Sequence, residues 1–110
     1  MNWKYLNNLN DLDLIKKKST NNPVLIFKHS TICSISQMVL SRFEREWGNI
    51  NFEYYFLDLL DFRNVSNAIA DDFNIEHQSP QVLIIKDRKC VETASHNAIN
   101  SIDLAIYTNS

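Results

Sequence analysis

The chain has 110 residues, enough for one apolar core, and its 45% hydrophobic and 22% charged content excludes a disordered chain. A net charge of -2 and a pI near 5.8 give no basic surface for nucleic acid or an anionic membrane, so neither is expected as a partner. No apolar run approaches the roughly 18 residues that cross a bilayer. Met1-Asn2-Trp3-Lys4-Tyr5 lacks the basic and then apolar regions of a signal peptide, so a cytoplasmic protein with reduced thiols is expected.

A short strand is expected at about 3–6. A helix follows at about 11–18, with Asp11 and Asp13 in its first turn and Lys16, Lys17 and Lys18 in its last. Those charges suit the helix dipole, and the lysine run reads as a solvated helix end. Val24-Leu25-Ile26-Phe27-Lys28 is a strand, bounded by Pro23 and by a Ser/Thr turn. Then the apolar period changes. Ile35, Val39, Phe43 and Trp47 recur every four residues with Leu40 beside them, predicting a helix over 34–47 stopped by Gly48, the only glycine. The aromatic-rich segment 52–57 reads as a third strand. Phe62, Val65, Ile69 and Phe73 mark another helix.

The polar loop 74–80 leads into a strand over 82–86. The turn Asp87-Arg88-Lys89 joins it to a return strand over 90–94, an antiparallel hairpin. A last helix at about 101–107 is expected to pack Ile102 and Ile106 inward. The order βαβαβαββα is the layout of the thioredoxin fold: an α/β protein with a central mixed sheet flanked by helices, one domain over 1–110.

Cys33 falls where the strand gives way to the helix. The free N–H groups and positive dipole end of a helix start favour an anion such as a thiolate. The alternative is a small buried apolar residue, but the junction and its polar turn favour a reactive thiol. Three residues on, where a dithiol oxidoreductase carries its second cysteine, stands Ser36. Its hydroxyl can donate to a thiolate but cannot close a disulfide. Pro80 occupies the place of the cis-proline that faces the active cysteine in this layout, exposing the preceding backbone for pairing with an extended substrate.

Cys90 is expected to be structural. The strand from Val82 runs away from the active end for about 16 Å at roughly 3.3 Å per residue, and a disulfide needs Cα atoms within about 7 Å. Ser95 and His96 return toward the Cys33 end, where His96 either lines the thiol pocket or lies on the surface. His29, four residues before Cys33, either tunes the thiol or caps the strand end. Two Cys and three His without Cys-x2-Cys or His-x3-His spacing give no metal site.

The stretch Phe27-Lys28-His29-Ser30-Thr31-Ile32-Cys33-Ser34-Ile35-Ser36 resembles the active-site segment of the monothiol bacilliredoxins. His77-Gln78-Ser79-Pro80-Gln81-Val82-Leu83 and Ala94-Ser95-His96 carry the resemblance further, over nearly the whole chain. It implies removal of bacillithiol from S-bacillithiolated protein cysteines in a low-G+C Gram-positive bacterium. Cys33 would then attack, Ser36 would replace a resolving cysteine, and Pro80 would be the cis-proline. Thr31, Ser34, Ser79 and His96 match positions around the active site. The hairpin turn departs from the family pattern in lacking a glycine. Bacillithiol is expected as a thiol co-substrate, with no tightly bound cofactor, and either bacillithiol or a separate reductase clears Cys33. Two other readings are a non-catalytic interaction module and an iron–sulfur carrier of the monothiol-glutaredoxin kind. The second fits worse, because those proteins carry Cys-Gly-Phe-Ser where this chain has Cys-Ser-Ile-Ser.

Overall fold

The central strand of the sheet is also its most completely buried. In the computed structural model, which describes residues 1–48 and 50–108, all six residues of Val24–His29 are buried. The elements are β1 (Lys4–Tyr5), α1 (Leu9–Lys18), β2 (Val24–His29), α2 (Ser34–Glu46), β3 (Glu53–Asp58), α3 (Arg63–Asp72), β4 (Gln81–Lys86) and β5 (Lys89–Ser95). A 3₁₀ helix, His96–Ser101, and a short α4, Ala105–Thr108, complete the chain. The sheet order is β1-β3-β2-β4-β5, with β1 and β2 parallel to β3, and β4 antiparallel to both β2 and β5. This is the mixed α/β sheet expected from the sequence.

Strand alternation sorts side chains onto the two faces. Ile26, Tyr55, Leu57, Leu83 and Ile85 pack with Leu12 and Ile15 of α1 and with Val65 and Ile69 of α3. Leu25, Phe27, Val82 and Ile84 pack with Val39 and Phe43 of α2 and with Ile99, Ile102 and Leu104. Both sheet faces are therefore covered, as the continuous apolar runs of β2 and β4 require.

Helix α1 begins earlier than its charges suggested, because Asn8 caps it by accepting the Asp11 N–H at 2.8 Å. Asp13 consequently lies beyond the first turn. Two of the three lysines in its last turn are paired: Lys16 with Asp72 of α3 at 2.5 Å, Lys18 with Glu53 at 3.1 Å. Ile35 is a correction. It shares the spacing of the buried residues yet is half-exposed, because the buried stripe of α2 runs through Ser36, Val39 and Phe43 and Ile35 lies beside it.

The last helix is a second correction. The chain forms a 3₁₀ segment and then one short turn of α-helix, burying Ile99, Ile102 and Leu104 while Ile106 is exposed. Ile99 and Ile102 are three residues apart, the repeat of a 3₁₀ helix. The backbone has broken off by Ile102 (φ -70°, ψ 139°), so Ile106 cannot share their face.

The hairpin turn contracts to Asp87-Arg88, both in the left-handed region at φ 52° and 65°. Two positive φ values make the turn whose twist matches a hairpin. Without glycine it is held from outside: the Asp87 N–H donates to the Ser19 carbonyl (2.8 Å) and the Arg88 N–H to Ser19 Oγ (2.9 Å). Arg88→Gly is expected to raise stability by up to about 1 kcal/mol, because glycine takes the left-handed conformation without a Cβ penalty. Urea unfolding checks this, and a lower midpoint would show that the arginine side chain contributes more than its backbone costs.

Candidate functional site

The antiparallel pairing of β2 with β4 places Lys28 opposite Gln81. The carboxyl end of β2 and the amino end of β4 therefore share one rim of the sheet. From that rim the chain leaves β2 into residues 30–33 and enters β4 through Ser79–Pro80, whose peptide bond is cis. β5 returns to the same rim: Ser95 pairs with Gln81, and the His96 N–H donates to the Pro80 carbonyl at 3.1 Å. The topology thus gathers the Cys33 turn, the Pro80 loop and His96 at one rim.

Cys33 is the N-cap of α2, in extended backbone (φ -105°, ψ 116°), and its carbonyl accepts the Gln37 N–H that opens the helix. Its thiol is free and half-buried, and no side chain caps the helix start. The first-turn N–H groups thus meet no capping oxygen from residue 33, leaving their partial positive charge beside the sulfur. The turn is closed on itself. The Cys33 N–H donates to the Ser30 carbonyl at 3.3 Å, and the Gln37 amide donates to the Thr31 carbonyl at 2.7 Å. Thr31 and Ser34 are exposed, as are Ile32 (82%), Ile35 and Met38. The cysteine is framed by apolar surface as well as by hydroxyls.

Ser36 is fully buried, and its hydroxyl is occupied. Its Oγ accepts the Ser30 N–H at 3.1 Å and lies 2.8 Å from His29 Nδ1. His29 is itself buried, tilted against the Phe56 ring, and burial lowers its pKa despite Asp58 and Glu44, which pull it upward. His29 thus grips the residue at the resolving position. Ser79 is half-buried, and its Oγ has no hydrogen-bond partner among the described residues. His96 is exposed and takes a left-handed backbone (φ 53°) where β5 turns into the 3₁₀ helix.

Cys90 pairs with Ile85, which pairs with Val24 at the other end of β2. The two cysteines stand at opposite rims, as the strand directions implied. Burial pushes the Cys90 thiol up, and its S–H donates to the Glu92 carbonyl at 3.3 Å.

One group has no counterpart in the sequence reading. Lys28, in β2, is fully buried. Its Nζ reaches the Ser66 carbonyl (3.3 Å) and His77 Nδ1 (3.2 Å), with no carboxylate at ion-pair distance among the described residues. Burial alone lowers its pKa to about 8. His77 belongs to the loop before Pro80, and its own pKa is lowered by burial and by the charges of Lys28 and Arg63. Gln81, also buried, ties the same loop by donating to the Glu76 carbonyl and accepting the Gln78 N–H. The only signal was a lysine closing an otherwise apolar run, Val24 to Phe27.

Two clefts, of about 410 and 250 Å³, open where β2 and β3 begin, lined by Asn22 and Glu53 among others, and neither includes a residue of the Cys33 turn. Among the described residues no group of three or more His, Cys, Asp or Glu side chains could hold a metal, and no helix is long and apolar enough to cross a membrane.

The fold matches solved thioredoxin-fold proteins. One, described as a candidate oxidoreductase, is 26% identical, with a TM-score of 0.77 over 94% of this chain and 90% of that one. Thioredoxin from Malassezia sympodialis is 13% identical (TM-score 0.75, 94% and 87% covered). Thioredoxin from Schistosoma mansoni is 17% identical (TM-score 0.70, 90% and 87% covered). The latter two likenesses show the fold. The family model of the monothiol bacilliredoxin BrxC matches residues 4–104, which spans every strand, the Cys33 turn, the Pro80 loop and His96. A redox thiol protein of thioredoxin-like fold, this chain belongs to the monothiol bacilliredoxin family.

Proposed function

We propose that this protein removes bacillithiol from S-bacillithiolated protein cysteines in the cytoplasm, with Cys33 as the exchanging thiol. The observation that carries the reading is a half-buried Cys33 at an uncapped helix start, with a serine at the resolving position and the second cysteine at the opposite rim. The Cys33 thiolate attacks the bacillithiol sulfur of the mixed disulfide. The sulfur–sulfur bond to the client breaks, the client cysteine leaves as a thiolate and takes up a proton, and bacillithiol stays on Cys33. Ser36 has no sulfur with which to displace it, and Cys90 is a strand length away, about 17 Å at 3.3 Å per residue. A second small thiol, or a reductase, completes the cycle by attacking the adduct and releasing Cys33 as thiolate. The exposed apolar side chains of Ile32, Ile35 and Met38 suit a site that meets a protein client.

The test is intact mass after exposure to a bacillithiolated client protein. One bacillithiol adduct should form on Cys33 and persist until an external thiol is added, and Cys90→Ser should retain most of the activity. A protein that stays unmodified while the client keeps its bacillithiol would favour the interaction-module reading. An internal Cys33–Cys90 disulfide would overturn the one-thiol mechanism.

A further inference from the structure

The segment that enters β4 is held by two buried polar side chains. Lys28 and Gln81 are the last register pair of β2 and β4 toward the Cys33 rim, and side chains directly opposite in an antiparallel pair share one face. Both are buried, and both reach past the end of the ladder into the same short segment. Gln81 donates to the Glu76 carbonyl at 3.0 Å and accepts the Gln78 N–H at 3.3 Å. Lys28 Nζ lies 3.2 Å from Nδ1 of His77, the residue between them, and donates to the Ser66 carbonyl of α3 at 3.3 Å. An ammonium only donates, so the imidazole accepts through Nδ1. Ser66 Oγ stands 3.3 Å from the same nitrogen. Residues 75–78 form no helix or strand of their own, so these side chains are what fixes them, and the next two residues are Ser79 and Pro80.

We propose that Lys28 is a positioning residue for the protein client: its amine, through His77, sets the loop that brings Ser79 and Pro80 to the rim where Cys33 exchanges. Stability gives no reason for a lysine at this position, since a buried amine meets a desolvation penalty that an apolar side chain of the same length avoids. What the apolar side chain lacks is the donor to His77. Gln81 holds the backbone of the loop on either side of residue 77, whereas Lys28 holds the one side chain between. Without that bond the loop keeps its two backbone ties and samples more positions. A client must then order the loop as it binds, and the loss falls on client affinity rather than on the thiol. The inference rests on Cys33 exchanging with a protein client.

The experiment compares Lys28→Met and His77→Ala, singly and together, with their parent in a Cys90→Ser background. Single-turnover transfer of bacillithiol from a bacillithiolated client protein, followed against client concentration, gives a half-saturation concentration and a limiting rate. Iodoacetamide alkylation reads Cys33 without the client. Each single variant should raise the half-saturation concentration by roughly three- to tenfold, the effect of one charge-assisted hydrogen bond, with the limiting and alkylation rates within about twofold of the parent. The double variant should be no worse than the worse single one, because Lys28 acts through His77. His77 is exposed, so His77→Ala tests the inference whether or not Lys28→Met folds. An unchanged half-saturation concentration in His77→Ala, effects that multiply in the double variant, or an alkylation rate that falls in Lys28→Met would overturn the inference and leave exchange at Cys33 standing. A parent protein that takes no bacillithiol from the client at any concentration would remove the exchange reading and the inference with it.

Discussion

Cys33→Ser is expected to abolish thiol–disulfide exchange without weakening the fold. A serine hydroxyl is not ionised at any pH the protein survives, so no nucleophile remains at the helix start, and Cys90 stands at the opposite rim of the sheet. The stability side of the prediction comes from capping. Cys33 makes no side-chain bond to the first turn of α2, whereas serine is among the preferred N-caps and accepts an N–H there. The variant should therefore match the parent or gain up to about 1 kcal/mol, while bacillithiol release from a mixed-disulfide client falls to the uncatalysed rate. The cysteine is kept at a position where chemistry and stability ask for different residues. Full activity in the variant would end the enzyme reading, and a Tm several degrees lower would mean that the thiol is needed for packing.

The second large effect concerns Lys28. Its pKa falls from 10.5 to about 8 through burial alone. The sign follows directly. Between pH 8 and 10.5 the unfolded chain holds a proton that the folded protein has released, so stability rises with pH across that window. Below pH 8 the folded protein carries the full cost of the buried ammonium, on the order of 3 kcal/mol. Lys28→Met keeps the length of the side chain and removes the charge. It is expected to stabilise the protein at pH 7 by about 1–3 kcal/mol, the usual outcome of replacing a buried charge by an apolar residue of similar volume. Tm should rise by roughly 4–8 °C per kcal/mol. The alkaline rise expected of wild type should be absent from the variant. A variant less stable than wild type would show that the bonds to Ser66 and His77 outweigh the desolvation of the amine.

The strand-to-helix junction was legible because hydrophobic periodicity changes there, from a continuous run ending at Phe27 to a four-residue repeat that buries Val39 and Phe43. The strand directions followed, and with them the separation of Cys33 from Cys90. The C-terminal segment was not legible. Ile99, Ile102, Leu104 and Ile106 fit an α-helical stripe loosely, but the chain spends the first two on a 3₁₀ repeat and turns the last outward. Nor could the sequence show what burial does to polar residues. Lys28 reads as the polar end of a strand until α3 and the loop before Pro80 close over it. Ser36 is visibly one turn from Cys33, yet its hydroxyl is taken by His29, seven residues back, through a turn whose path no spacing rule gives.

The position of β2 bears on how the protein is made. Val24 pairs with Ile85 and Lys28 with Gln81, so the central strand gains its second neighbour only when most of the chain exists. A nascent chain on the ribosome thus carries an apolar strand with one naked edge, the kind of template that invites pairing between molecules. Chains halted before Gln81 are expected to be insoluble rather than partly active. In the growing polypeptide, Cys33 emerges well before the rim that frames it, and the thiol depends on the reducing power of its surroundings until β4 has been synthesised and docked.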